Sequence, residues 1–133
     1  MCVLHIRTDR DNLDLILNTN LPIYQVHKKG KKHKFRKKEI GPNLISCSVS
    51  EKEWSDFTGQ TEDMISFIDK YQKELQLIKE KFSSIDWEFD LPYENRMNDT
   101  LFCQSDFLPS ELLLKSGKLG IGITLSLYNT ETE

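Results

Sequence analysis

Cysteine, proline and glycine are all scarce in this chain: three, four and six among 133 residues. Three cysteines with no metal-binding or redox spacing argue against a disulfide scaffold and a zinc site. So little glycine and proline excludes collagen-like and low-complexity chains. No apolar run approaches the roughly 18–20 residues of a membrane helix, and the N-terminus has no apolar core of a signal peptide. The three histidines show no metal-ligand spacing either. What remains is a composition of 38% hydrophobic and 29% charged residues, within the range of folded domains. At this length one domain is expected, in a cytoplasmic protein without membrane contact.

The net charge of −3 conceals an uneven layout. Lys28, Lys29, Lys31, Lys32, Lys34, Arg36, Lys37 and Lys38 crowd into eleven positions with no acid among them. The rest of the chain holds ten basic residues against 21 acidic ones. An acidic body with one basic arm is the resulting picture, and such charge blocks stay solvated and serve as interaction segments.

Hydrophobic periodicity supplies the elements. Cys2–Thr8 alternates as a strand, and Asp11 can cap a short helix carrying Leu13, Leu15, Ile16 and Leu17. Ile23–His27 and Leu44–Ser50 read as two strands of a long hairpin whose tip is the basic arm, residues 28–43. Ser50-Glu51-Lys52-Glu53 has the form of a capping box, and Gly59 reads as a break after it. Met64, Ile68, Tyr71, Leu75, Ile78 and Phe82, spaced 4, 3, 4, 3, 4, mark one amphipathic helix. Ile85–Leu91 alternates apolar with acidic and should stop at Pro92. Leu101–Phe107 reads as a fifth strand. Pro109 opens a helix to about Lys115, closed by Gly117 or Gly120, and Ile121–Tyr128 is the last strand before a frayed tail, 129–133. The order is β-α-β-β-α-β-β-α-β in a single α+β domain. A two-layer sandwich follows, with a mixed or antiparallel sheet and helices mainly on one face.

From Gln104 to Tyr128 the chain reads QSDFLPSELLLKSGKLGIGITLSLY. This segment resembles a bacterial family catalogued as a domain of unknown function, family four-two-seven-nine, which closes on a QSD, an LP-x-ELL and an LGIG-like run. The resemblance extends back to about Leu44 and implies a single intracellular bacterial domain. It brings no activity, substrate or cofactor.

Chemistry-bearing residues are few. His5 and Cys2 alternate onto opposite strand faces, a poor arrangement for a shared metal. His27 and His33 lie among like charges that disfavour the imidazolium. Cys2, Cys47 and Cys103 fall on expected strands, where a thiol serves as a small hydrophobe. Gln104, Ser105 and Asp106 precede a helix, a position that suits either turn capping or a binding surface. Gly117, Gly120 and Gly122 lack the strand-before, helix-after setting of a phosphate loop. Asp86, Glu88 and Asp90 stand about 7 Å apart on one strand face, a spacing that could suit glycosidic chemistry but is commoner on a solvated face.

No catalytic set, cofactor or metal is indicated. The expectation is a protein-interaction module, antitoxin-like or regulatory, whose partner is an acidic protein or a second copy of the chain. The alternative is nucleic-acid binding through Lys28–Lys38, aided by stacking on Phe35 and Tyr24. An enzyme ranks last.

Overall fold

A computed structural model describes residues 1–9, 13–28, 42–82 and 85–129. Within them run β1 (Cys2–Thr8), α1 (Asp14–Leu17), β2 (Ile23–His27), β3 (Asn43–Ser50), α2 (Phe57–Lys70), α3 (Gln72–Lys81), β4 (Asp86–Glu94), α4 (Ser110–Leu119) and β5 (Gly122–Tyr128). The strands form one mixed sheet in the order β2-β3-β1-β4-β5. Every pairing is antiparallel except β4 with β5, which is parallel. The α+β class is as the composition and periodicity indicate.

Alternation sorts the sheet into two faces. Leu4 and Ile6 from β1, Ile45 and Cys47 from β3, and Trp87, Phe89 and Leu91 from β4 are buried together. The helices cover this face with Met64, Phe67, Ile68, Leu75, Ile78, Leu112 and Leu119. Phe67 meets Phe89 edge-on, with ring centroids 6.1 Å apart. Burying a side chain of this kind contributes roughly 1.5–3 kcal/mol. The apolar stripe read from the sequence is thus the layer that holds helix to sheet.

Several boundaries differ from the sequence reading, each for a local reason. Leu101–Phe107 is not a strand, and the sheet of the described residues has five strands. Asn98 Oδ1 accepts from the amides of Thr100 and Leu101 at 2.8 and 2.9 Å, so the segment opens in a turn. The stripe from Met64 to Phe82 is divided between two helices, because the backbone departs from helical geometry at Tyr71 (φ −108°, ψ 23°). The capping box at Ser50 is not used as a cap. Ser50 Oγ instead donates to Asp63 Oδ2 at 2.7 Å and accepts from the Lys52 amide. Asp56 is the true cap, accepting from the Gly59 amide at 2.9 Å, so Gly59 lies inside the helix rather than breaking it.

Two further boundaries follow from backbone bonding. α4 extends past Lys115 to Leu119, where Gly120 takes the left-handed conformation at φ 73°. Gly120 N donates to Gly117 O and Ile121 N to Ser116 O, the double closure of a Schellman motif. Strand β4 continues through Pro92 to Glu94. β1 pairs with β4 only as far as Asp90. Asn95 N donates across to Tyr128 O on the β5 side, so by alternation the amide position of residue 92 points to the side β1 has vacated. A proline is tolerated there because no ladder bond is lost.

The Asp56 cap gives a measurable cycle. A Cβ at Gly59 would run into the Asp56 carboxylate. Asp56→Ala should lower unfolding stability by about 1 kcal/mol. Gly59→Ala should stabilise by about 0.5–1 kcal/mol only in that background, where the cap it displaces is already gone. Urea titration of the four proteins checks both.

Candidate functional site

The parallel pair β4–β5 ends beside the segment from Asn95 to Pro109. Gln104 fixes this segment. Its Nε2 donates to Glu94 O at 2.8 Å, and its Oε1 accepts from Arg96 N at 2.8 Å. Asp106 Oδ1 receives Arg96 Nη2 at 2.8 Å, while Asp106 Oδ2 accepts from Gln104 Nε2 at 3.2 Å. Arg96, Gln104 and Asp106 therefore form a closed clamp across the start and end of the loop. Of the triplet singled out in sequence, Gln104 and Asp106 meet here, and Ser105 is exposed beside Cys103, 3.7 Å from its Sγ.

Beside the clamp lies a cavity of about 250 Å³ lined by Phe57, Tyr93, Met97, Gln104, Asp106, Leu108, Leu125 and Leu127. Its walls are mostly apolar. The polar groups of Gln104 and Asp106 are already engaged in the clamp, which leaves the cavity suited to hydrocarbon rather than to a charged ligand. Leu125 is 48% and Leu127 52% exposed, so the cavity opens toward β5.

β5 is an edge strand, bonded among the described residues only to β4. Since Tyr128 O accepts from Asn95 N on the β4 side, residues of the same parity bond inward. Ile123, Leu125 and Leu127 turn their amides and carbonyls to the open edge. Between Gly122 and Tyr128 there is no charge and no proline. Natural edge strands ordinarily carry such guards against pairing. In the loop that precedes α4, Phe107, next in the chain to Leu108, is 78% exposed, and Phe102 is 86% exposed. The C-terminal end of β5 is pinned by stacking of Tyr128 on Trp54, centroids 4.4 Å apart.

The other face of the sheet is polar and self-satisfied. Glu88 pairs with Arg7 at 3.4 Å and accepts from Thr124 Oγ1 at 2.9 Å. Asp90 Oδ1 accepts from Ser126 Oγ at 2.6 Å, and its Oδ2 lies 4.0 Å from His5 Nε2. His5 Nδ1 shares a hydrogen bond with Ser46 Oγ at 3.0 Å. Glu88 and Asp90 are thus engaged by Arg7 and His5 of β1 and by hydroxyls of β5, which is an arrangement for pairing strands rather than for two carboxylates acting on a substrate. Burial and the neighbouring Arg7 hold the His5 pKa below its usual value, against the opposing pull of Asp90 and Glu88.

Cys2 and Cys47 are buried, and desolvation pushes each thiol up to about 12, far from a reactive thiolate at neutral pH. Cys103 is exposed on the loop instead of lying on a strand. No three metal-binding side chains gather among the described residues. None of the described helices is long and apolar enough to cross a membrane. Of the basic run, Lys28 is described and is exposed. Lys29, Lys31, Lys32, Lys34, Arg36, Lys37 and Lys38, with His33, lie outside the described residues. Alternation makes Ile121–Tyr128 the last strand but gives it no position in the sheet, so the open edge is visible only in the strand order.

Comparison with known proteins finds no matching family model, no matching curated protein and no matching solved structure.

Two outcomes test this geometry. Gln104→Ala should lower stability by about 1–3 kcal/mol, because it strips partners from Glu94 O, Arg96 N and Asp106. Ser105→Ala should change it by less than about 0.5 kcal/mol, as exposed positions do. Chemical denaturation separates the two. For His5, a lowered folded-state pKa means the unfolded chain binds the proton more readily. Stability is therefore full above the unfolded value near 6.5 and falls as pH drops below it. His5→Gln should flatten the stability profile between pH 7 and pH 5.

Proposed function

We propose that this chain is a protein-interaction module that receives an extended segment of a partner along the open edge of β5. The observation that carries this reading is the outward-facing backbone of Ile123, Leu125 and Leu127 on an uncharged edge. Strand addition at such an edge draws affinity from main-chain bonds and specificity from pockets for alternate side chains. The cavity of about 250 Å³ beside Leu125 and Leu127 is such a pocket. Its apolar walls favour a segment with aliphatic or aromatic side chains at every second position. Catalysis has little to work with here: the two buried thiols are protonated, and the clamp carboxylate of Asp106 is tied to Arg96.

The test uses a lysine-flanked peptide with the sequence of Gly122–Tyr128 as a model extended segment, read by fluorescence anisotropy. Leu125→Pro removes an amide that points away from β4, so the five-stranded sheet keeps its ladder while the edge loses a donor. Binding to the native chain with at least tenfold weaker binding to the Leu125→Pro variant is expected. Circular dichroism monitors that the variant stays folded. Equal binding to both proteins, or none to the native chain, would overturn the reading.

A further inference from the structure

We infer that the segment received by β5 is β5 of a second copy, joined antiparallel about a two-fold axis through Leu125. This rests on the edge-pairing reading above and adds the identity of the partner.

The strand is self-complementary about that axis. Placing Leu125 opposite its own copy sets Ile123 against Leu127, Thr124 against Ser126, and Gly122 against Tyr128. On the helix side every pair is then apolar with apolar. On the other side Thr124 meets Ser126, and an aromatic ring lies across from the glycine, an arrangement that shields an edge glycine. The bonding phase agrees as well. Antiparallel partners exchange both main-chain bonds at alternate positions, and the residues that face outward, Ile123, Leu125 and Leu127, pair only with one another. The bonding phase follows from placing the axis at an outward-facing residue; the matching of side chains across it comes from the sequence.

Charge also permits it. No charged residue lies between Gly122 and Tyr128. Of the acids of β4 that lie beside the strand, Glu88 and Asp90 are held by Arg7, His5 and the β5 hydroxyls of their own chain, and Glu94 stands at its far end opposite Tyr128. Among the described residues the other edge strand is β2, which is unsuited to the same pairing: its register slips between Ile23 and Gln25, and Lys28 follows it directly. Lysine and irregular register both discourage edge pairing. Of the two edges, then, β5 is the one built to pair, and it pairs with itself.

The size of the patch sets the strength. With Tyr128 42% exposed, and Leu125 and Leu127 near half, the strand itself offers only a small apolar patch. The association leans on main-chain bonds and is weak and concentration-dependent.

Sedimentation equilibrium of the full chain from about 1 to 500 μM tests the inference. A reversible monomer–dimer equilibrium with a micromolar dissociation constant is expected. Because Leu125 meets its own copy, Leu125→Lys and Leu125→Glu should each be monomeric over this range, and an equimolar mixture of the two should dimerise again. That rescue also shows that both variants are folded. A native chain that is monomeric throughout overturns the inference; if it still binds the Gly122–Tyr128 peptide, the edge reading survives and only the identity of the partner fails. A dimer that persists in both single variants also overturns it, by placing the contact elsewhere.

Discussion

The parallel pairing of β4 with β5 is the constraint on which the rest of this structure depends. Antiparallel neighbours need only a tight turn, but a parallel neighbour needs a crossover that carries the chain back to the starting end of the sheet. Here that crossover is the loop from Asn95 to Pro109 followed by α4. The loop would be floppy without anchors, and Gln104 supplies them by bonding Glu94 at one end and Arg96 and Asp106 within it. The Schellman closure at Gly120 then turns the chain sharply into β5. Sheet, clamp, cavity and edge are consequences of one connection.

The polar face shows how a repulsive sequence pattern becomes cohesive. Asp86, Glu88 and Asp90 in alternation would repel one another mildly on an isolated strand. β1 brings Arg7 and His5 alongside, and β5 brings Thr124 and Ser126. Each exposed ion pair is worth about 1 kcal/mol or less. Their combined effect is to fix which strands lie beside β4, since cross-strand neighbours are the unit of sheet stability. The acidic strand was open to pairing with the basic arm on charge alone; in the fold its partners are its immediate neighbours.

Much of the architecture was legible in the sequence because periodicity reports burial. The strands at Cys2–Thr8, Ile23–His27 and Asn43–Ser50 and the stripe from Met64 to Ile78 were readable from alternation or helical spacing alone. Leu101–Phe107 misled because its apolar residues are exposed rather than buried, a state that composition does not distinguish. Pro92 misled because its fit depends on where β1 stops pairing, a fact of tertiary register. Gln104 and Asp106 stood out as polar residues within an apolar run, but their partner Arg96 lay in a loop that spacing does not connect to them. The edge character of β5 was illegible for the same reason: strand order is a property of the sheet, not of any one segment.

The unequal treatment of the two margins of the sheet has a consequence for assembly. A sheet that is adhesive along both sides adds subunits without limit, and the product is a filament. With β2 broken in register and bordered by lysine, pairing through β5, as proposed, would stop after one addition. The same asymmetry would let an uncharged edge strand persist without the hazard of amyloid-like polymerisation.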